Sequence, residues 1–392
     1  VCKRYLGKVN HQLSTNNHQP TNHLMKITKV EIIQENLELT RPYTIAFKTI
    51  SEVENVFLLL ELADGTRGIG CSAPSPGVTG ESVEDSLRAL KEIAEPMLHG
   101  ATIHTFPAIL ASLRPLMIKQ PAALAAVDVA LHDAFTRHLG VRLVDWWGLR
   151  YQKLPTSITI GILSVEETLE QAREHLATGF RVIKLKTGRS VAEDVEVFTK
   201  LRAAVGPHIP IRTDANQGYA PQDLIDFAKA TKHLAVEFHE QPFPAGHDRG
   251  KVQAGEALSG PTAQLTLPAD LRKLCAADED LHNASDALLL ATEAQPYGIF
   301  NIKLMKCGGV AEARRIAFVA ERSGIELMWG CNDESIVSIT AALHAALASK
   351  ATRYLDLDGS LDLARDLVTG GFILEDGYLQ AGPGLGLGCE LL

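Results

Sequence analysis

The sequence predicts an α/β barrel that carries a smaller α+β unit on its N-terminal side, and three observations predict it. The chain has 392 residues, long for one layered domain and comfortable for one barrel plus a smaller domain. From Leu154 onward the pattern alternates strand and helix through eight candidate strands, at 156–162, 181–187, 209–214, 235–240, 274–278, 299–305, 325–330 and 353–357. Eight parallel strands with helical crossovers close most simply into a (β/α)8-type barrel, whose reactive groups sit at the C-terminal strand ends. Before residue 150, strands come first and helices follow, the order of an α+β unit. A doubly wound open sheet is the competing architecture.

Taken in order, residues 1–24 are rich in His, Asn, Gln and Thr and read as a disordered leader ahead of a natural start at Met25, with His11, His18 and His23 solvated. From Met25 to Glu61 two or three strands are expected, the last over 55–61 before the turn Asp64-Gly65. A Gly/Pro/Ser-rich loop at 72–80 leads to helices over 81–99, 104–118 and 121–139. In the last of these Leu124, Val127, Leu131, Phe135 and Leu139 recur every three or four residues, and Gly140 supplies the stop. The connection 243–273, with Gly246, Gly250, Gly255, Gly260 and Pro261, is too broken for an ordinary crossover helix and reads as an insertion.

Composition narrows the partners. With 46% apolar residues and a net charge of −9, the chain has the balance of a soluble globular enzyme and no electrostatic footprint for nucleic acid. No apolar run nears the roughly 20 residues of a spanning helix, and the first two dozen residues lack a signal-like apolar core. No membrane partner and a cytoplasmic location are therefore expected. The six cysteines, Cys2, Cys71, Cys275, Cys307, Cys331 and Cys389, form no CxxC pair and read as free thiols.

Chemistry enters with lysines in apolar runs. As a strand over 299–305, the stretch Phe300 to Gly309 places Asn301, Lys303 and Met305 on one face, so that Lys303 projects into the interior. The run Val182 to Lys186 puts Lys184 and Lys186 together on one face in the same way. Three consecutive strands end in carboxylates: Asp214, Glu240 and Asp278. Adjacent strands lie about 5 Å apart, and three uncompensated carboxylates there repel unless a divalent cation joins them. An all-oxygen set with room for substrate and water favours Mg²⁺ over Ca²⁺. Strands two and six lie on opposite sides of a barrel, so Lys186 and Lys303 face one substrate carbon from two sides. Burial, the neighbouring Lys184 and the metal lower an ammonium's pKa, leaving one lysine neutral as a base. A base and an acid across one carbon are the equipment of epimerisation. Proton loss α to a carboxylate makes an enediolate, which Mg²⁺ stabilises. A structural ion pair of Lys184 and Lys303 with Asp214 or Glu240 is the alternative.

The motifs KLK at 184–186, DAN at 214–216, EQPFP at 240–244, ADE at 277–279 and NIKLMKCGG at 301–309 together resemble the enolase superfamily, in its muconate-lactonizing subgroup, over the chain from about Met25 to the C-terminus. The resemblance implies a (β/α)7β modified TIM barrel, residues 151–363, under an α+β capping domain, residues 25–150, with 364–392 returning to the cap. It implies Asp214, Glu240 and Asp278 as Mg²⁺ ligands, Lys186 and Lys303 as the acid/base pair, and Lys184 as a contact of the substrate carboxylate. The eighth strand ends Asp356-Leu357-Asp358-Gly359, and Asp-x-Asp is the signature of the dipeptide epimerases. Two carboxylates on one face suit a free α-ammonium. Lys48 occupies the position of a capping-loop cation that is usually Arg in Ala-Glu epimerases. The loop Cys331 to Ser335 resembles that of epimerases acting on cationic dipeptides, where Asp333 pairs with a Lys or Arg side chain, although Ser75 stands where those relatives carry an acid. Both substrate classes stay open.

The expected activity is thus Mg²⁺-dependent epimerisation of a small-molecule dipeptide by a homo-oligomeric isomerase. An N-acylamino acid racemase, an o-succinylbenzoate synthase-type enzyme or a cycloisomerase would not need Asp356. A non-catalytic binding or structural protein on the same fold is the reading from another class.

Overall fold

Two long strands follow Met25, and the second carries apolar residues on both of its faces, so that each face is covered by a packed layer. The structure, a computed structural model, describes residues 25–45, 48–246 and 258–392, and the side chains of residues 41–50 lie outside that description. The expected leader 1–24, the Lys48 side chain and residues 247–257 of the expected insertion therefore fall outside the described residues. Strand β1 (Ile27–Ile45) pairs antiparallel with β2 (Lys48–Leu62), and β2 with β3 (Arg67–Ser72). On β2, Val56, Leu58, Leu60 and Leu62 are buried against Ala123, Leu124, Ala126, Val127, Ala130 and Leu131 of the helix Pro121–His138. The opposite face sends Phe57, with Ile69 and Cys71 of β3, into the cluster shared with the barrel.

The sequence reading placed the third strand at 55–61, but those residues are the second half of β2, and the third strand is Arg67–Ser72. Its glycines disguised it, since Gly weakens a strand signal. They are required by packing: a Cβ on Gly68 would lie 2.3 Å from the Ala130 carbonyl oxygen, and one on Gly70 would lie 1.9 Å from that of Ala126. The alanine-rich helix and the glycine-bearing strand touch backbone to backbone.

After β4 (Leu154–Pro155) come eight parallel strands: β5 (Ser157–Ile160), β6 (Val182–Lys186), β7 (Ile211–Asp214), β8 (Val236–Glu240), β9 (Cys275–Ala277), β10 (Ile299–Ile302), β11 (Glu326–Trp329) and β12 (Thr352–Leu355). Each pairs with its neighbour in sequence, and a parallel bridge between Thr156 and Leu355 closes the ring. Helices Val165–Ala177, Val191–Val205, Pro221–Thr231, Ala284–Leu290, Val310–Ser323 and Ile336–Ala348 make six of the crossovers. The seventh, between β8 and β9, holds two short helices, Gly260–Gln264 and Ala269–Arg272, where the sequence suggested an insertion. No crossover helix follows β12. The chain instead forms the short strands β13 (Val368–Gly370), β14 (Phe372–Glu375), β15 (Tyr378–Ala381) and β16 (Cys389–Leu391), which makes this a (β/α)7β barrel.

Specific contacts join the halves of the chain. Leu143 N–H donates to the Gly386 carbonyl (2.8 Å) and Leu387 N–H to Asp133 Oδ1 (2.7 Å). Asp128, wholly buried on the helix Pro121–His138, accepts from the amides of Val310 (2.8 Å) and Ala311 (3.3 Å). It thereby caps the barrel helix Val310–Ser323 from outside, satisfying amides that a helix cannot pair internally. Among the described residues no helix is long and apolar enough to cross a membrane, and Cys71, Cys275, Cys307, Cys331 and Cys389 are all free thiols.

Candidate active site

Strand register brings the predicted residues to one end of the barrel. Lys186 stands opposite Asp214 across β6 and β7, and Asp214 opposite Glu240 across β7 and β8. Glu240 pairs with Ala276 on β9, two residues before Asp278. Asp214, Glu240 and Asp278 are each at most 2% exposed. Among the described residues they do not form a ready-made ligand set, because ammonium groups stand between them. Lys184 Nζ lies 3.0 Å from Asp214 Oδ2, 2.8 Å from Glu240 Oε2 and 2.8 Å from Asp356 Oδ2. The Glu240 contact is an ion contact without hydrogen-bond alignment, so Oε2 has no hydrogen-bond partner, while Oε1 accepts from Asn301 Nδ2 at 2.7 Å. Lys186 Nζ binds Asp214 Oδ2 (2.8 Å) and Asn216 Oδ1 (2.6 Å) and is the more open lysine, its side chain 27% exposed. Lys303 Nζ meets Asp278 Oδ2 at 2.9 Å from the opposite side of the barrel.

The electrostatics follow from this interleaving. Burial alone would raise Asp214, but the Lys186 and Lys184 ammoniums outweigh it and hold the carboxyl well below its usual range. Burial is likewise outweighed at Asp278 by Lys303 and Lys306. Glu240 goes the other way: burial, with Asp214 beside it, pushes it up to about 8. At Lys184 and Lys303 burial opposes the charge, but Asp356 in the first case and Asp278 in the second, with Glu240 in both, hold the ammonium protonated.

The eighth-strand pair is asymmetric. Asp356, 3% exposed, accepts from Ser157 Oγ at 2.5 Å and from Lys184 at 2.8 Å. Against burial, those donors hold it below the usual range. Asp358 accepts from the Thr159 amide (2.8 Å) and is pushed up to about 7 by burial and by Asp356. Asp333 is half-buried in the loop between β11 and the helix Ile336–Ala348. Its neighbour Glu334 is 2% exposed, accepts from the Asn332 amide at 3.0 Å through Oε1, and has no hydrogen-bond partner at Oε2. Burial pushes Glu334 up to about 8, with Lys303 acting against it. Ser75 lies in a turn in which the Thr79 amide donates to its carbonyl.

Sequence reasoning missed several residues here. A strand over 299–305 turns Lys306 away from Lys303, but β10 ends at Ile302, and Lys303 precedes a single helical turn, Leu304–Cys307. Residues three apart on a helix share a side, so Lys306 comes back to Asp278, donating to its carbonyl oxygen and to Oδ1 with a side chain 1% exposed. The same helix turns Met305 toward the cap, where its sulfur accepts from the Ala73 amide. Gln241, with φ +30, accepts from the amides of Asp278 (2.9 Å) and Asp280 (3.3 Å) and so fixes the loop after β9. A polar residue at this φ beside a buried carboxylate is visible only in the backbone.

Comparison with known proteins agrees with this geometry. Residues 27–148 match the mandelate racemase / muconate lactonizing enzyme N-terminal domain, and residues 167–392 the enolase C-terminal domain-like family. The chain is 50% identical over 365 residues to the L-Lys-D/L-Arg epimerase of Desulforapulum autotrophicum, covering 93% of this chain and 99% of that protein. It is 32% identical over 367 residues to the L-Ala-D/L-Glu epimerase of Clostridium acetobutylicum, with the same coverage of both chains. The crystal structure of the dipeptide epimerase from Methylococcus capsulatus complexed with Mg and dipeptide L-Arg-D-Lys matches with a TM-score of 0.87 at 47% identity, over 93% of this chain and 99% of that one. Matches that span both halves of the chain place this protein in the mandelate racemase / muconate lactonizing enzyme family of the enolase superfamily.

Proposed function

We propose that this protein is a Mg²⁺-dependent dipeptide epimerase that inverts the α-carbon of the C-terminal residue of a dipeptide, with cationic dipeptides as its substrate class. The observation that carries the reading is the pair Lys186 and Lys303, which approach one carboxylate cluster from β6 and from the end of β10, each held by a different carboxylate. Asp214, Glu240 and Asp278 fit a hard cation in kind, being all oxygen donors, and Glu240 Oε2, which meets Lys184 at 2.8 Å without an aligned hydrogen bond, keeps lone-pair capacity for a cation. Bound among them, Mg²⁺ supplies positive charge against the carboxylate oxygens of the deprotonated substrate.

The protein's own groups do the rest. One of Lys186 and Lys303, as the free amine, takes the α-proton from one face, and the other, as the ammonium, returns a proton to the opposite face. Asn216 orients the Lys186 nitrogen through its 2.6 Å contact. Lys184 offers its ammonium to the substrate carboxylate, Asp356 and Asp358 receive the free α-ammonium, and Asp333 pairs with the cationic side chain. The relatives named for L-Lys-D/L-Arg support that substrate class, and L-Ala-L-Glu is the comparison substrate.

The division into a cap at 25–150, a barrel at 151–363 and a returning segment at 364–392 belongs to the same proposal, supported by a buried cluster whose members all lie between Ile27 and Ala134. So do a cytoplasmic location and a homo-oligomer. Leu288, Leu289 and Phe318 are 51–65% exposed on neighbouring helices and are apolar surface that a second copy would cover.

The test follows α-proton exchange of L-Lys-L-Arg and L-Ala-L-Glu in D₂O by NMR. The protein is expected to epimerise the first faster. Lys186→Ala and Lys303→Ala are each expected to lose epimerisation by about 10²–10⁴-fold, while each retains exchange of one epimer only, a different one in each variant. Exchange of the same epimer by both variants, or full epimerisation by Lys303→Ala, refutes the two-lysine reading.

A further inference from the structure

Beneath Asp356 a chain of donors runs through the barrel interior toward its opposite end, and none of its members touches the reacting atoms. Arg212 on β7 is 2% exposed. Its Nη1 donates to the Leu355 carbonyl (2.7 Å) and to Ser157 Oγ (3.2 Å), and its Nε donates to Glu237 Oε2 (2.7 Å). The guanidinium carbon lies 5.3 Å from the ring centroid of Phe238 and 5.1 Å from that of Tyr354, and those rings are 4.8 Å apart. Tyr354 is tied in turn to Glu326 at 2.9 Å. With carboxylate, carbonyl and two aromatic faces around it, the planar fork has one orientation.

That orientation decides what Ser157 does. A guanidinium only donates, so the Ser157 oxygen accepts from Arg212 and its own hydrogen must find an acceptor elsewhere. Two are in reach: the Leu355 carbonyl at 3.3 Å, which already accepts from Arg212, and Asp356 Oδ1 at 2.5 Å. The shorter contact takes the proton. Asp356 is therefore gripped at Oδ1 by a hydroxyl that is itself backed by a buried cation, and at Oδ2 by Lys184 (2.8 Å). Each carboxylate oxygen has two lone pairs, so one on each remains for an incoming donor. Asp358, two residues on, accepts from the Thr159 amide at 2.8 Å, while the Cys331 thiol beside it has its shorter contact, 3.2 Å, with the Asp356 carbonyl oxygen.

We propose that Ser157 and Arg212 are positioning residues that aim Asp356 at the free α-ammonium of the dipeptide, so that discrimination between free and N-acylated substrates depends on two side chains that touch neither. This rests on the reading of Asp356 as the ammonium's partner. Arg212 sets the Ser157 hydroxyl, the hydroxyl sets the carboxylate, and the carboxylate sets the preference for a charged amino terminus.

The test measures binding by isothermal titration, on the Mg²⁺-loaded full chain, of L-Lys-L-Arg and of Nα-acetyl-L-Lys-L-Arg. The wild-type protein is expected to bind the free dipeptide more tightly. Ser157→Ala is expected to reduce that ratio of dissociation constants by about tenfold, the size of one hydrogen bond to a charged group. Ser157→Thr, which keeps the hydroxyl, is expected to restore it. Arg212→Lys keeps a charge but loses the fork and is expected to lower the ratio as well. A merely structural role moves both affinities together and leaves the ratio alone. If the wild-type protein shows no preference for the free amine, the reading of Asp356 itself fails. If the preference is present and Ser157→Ala retains it, the relay is overturned, and an unchanged ratio in Arg212→Lys removes Arg212 from it.

Discussion

Replacing Lys184 by Met removes one ammonium while nearly keeping the length of the stem, and the structure says what is left behind. Nζ contacts Asp214, Glu240 and Asp356 at 2.8–3.0 Å, and its side chain is 4% exposed. Removing one partner of a buried ion pair costs about 3–5 kcal/mol, because the other charge stays buried without compensation. With an unfolding entropy of about 2.1 cal/mol/K per residue, a chain of 392 residues converts that into a fall in Tm of about 4–6 °C. The assay is thermal unfolding in EDTA, where the carboxylates have only the lysines. The pH dependence has a definite sign. In the wild-type protein Asp214 and Asp356 are held below their usual range, so they contribute stability above about pH 4, lost as pH falls through their depressed values. Without Lys184, burial dominates at Asp356 and raises it, while Asp214 keeps the Lys186 ammonium, and a raised carboxyl contributes stability only at acid pH, lost as pH rises through its folded value. Glu240, already at about 8, rises further. The gap between variant and wild type must therefore widen from pH 5 to pH 8. Added Mg²⁺ is expected to raise the Tm of the variant more than that of the wild type, since it replaces the missing charge. An unchanged Tm in EDTA, or a gap that narrows with pH, refutes the view that Lys184 neutralises this cluster.

Two predictions concern the frame that holds the site. Gly70→Ala drives a Cβ to within 1.9 Å of the Ala126 carbonyl oxygen, a backbone contact that no rotamer relieves, and is expected to cost about 3 kcal/mol or more in urea unfolding. A loss under about 1 kcal/mol would show that sheet and helix separate easily. Asp128→Ala uncaps the helix Val310–Ser323 at the Val310 and Ala311 amides and is expected to lower the urea midpoint by the equivalent of about 1–2 kcal/mol. Asp128→Asn, which keeps an acceptor, is expected to recover most of that loss.

The succession of barrel strands, the residues at their C-terminal ends and the charge types among them were legible in the residues, because alternation with period two and helical periodicity are local properties that survive without tertiary context. Lys184, Lys186, Asp214, Glu240, Asp278, Lys303 and the Asp356–Asp358 pair were legible for that reason: each is a charged residue where an apolar strand predicts none, or stands at its end. The features that were not legible lie where distant segments meet. Strand β3 was hidden by Gly68 and Gly70, whose reason is a helix some fifty residues later in the chain. Lys306 was hidden because the strand before it ends one residue before Lys303 and turns into a helix, changing which residues share a side. The charge states were hidden as well. Burial pushes a lysine toward neutrality and a carboxyl toward its acid form, and a sequence shows burial by its apolar flanks. Whether an opposite charge stands within 3 Å depends on strands that are neighbours around the barrel. At Lys184 the partner is Asp356, two strands round the barrel and 172 residues away in the chain, and its attraction outweighs the cost of burial that the local sequence alone suggests.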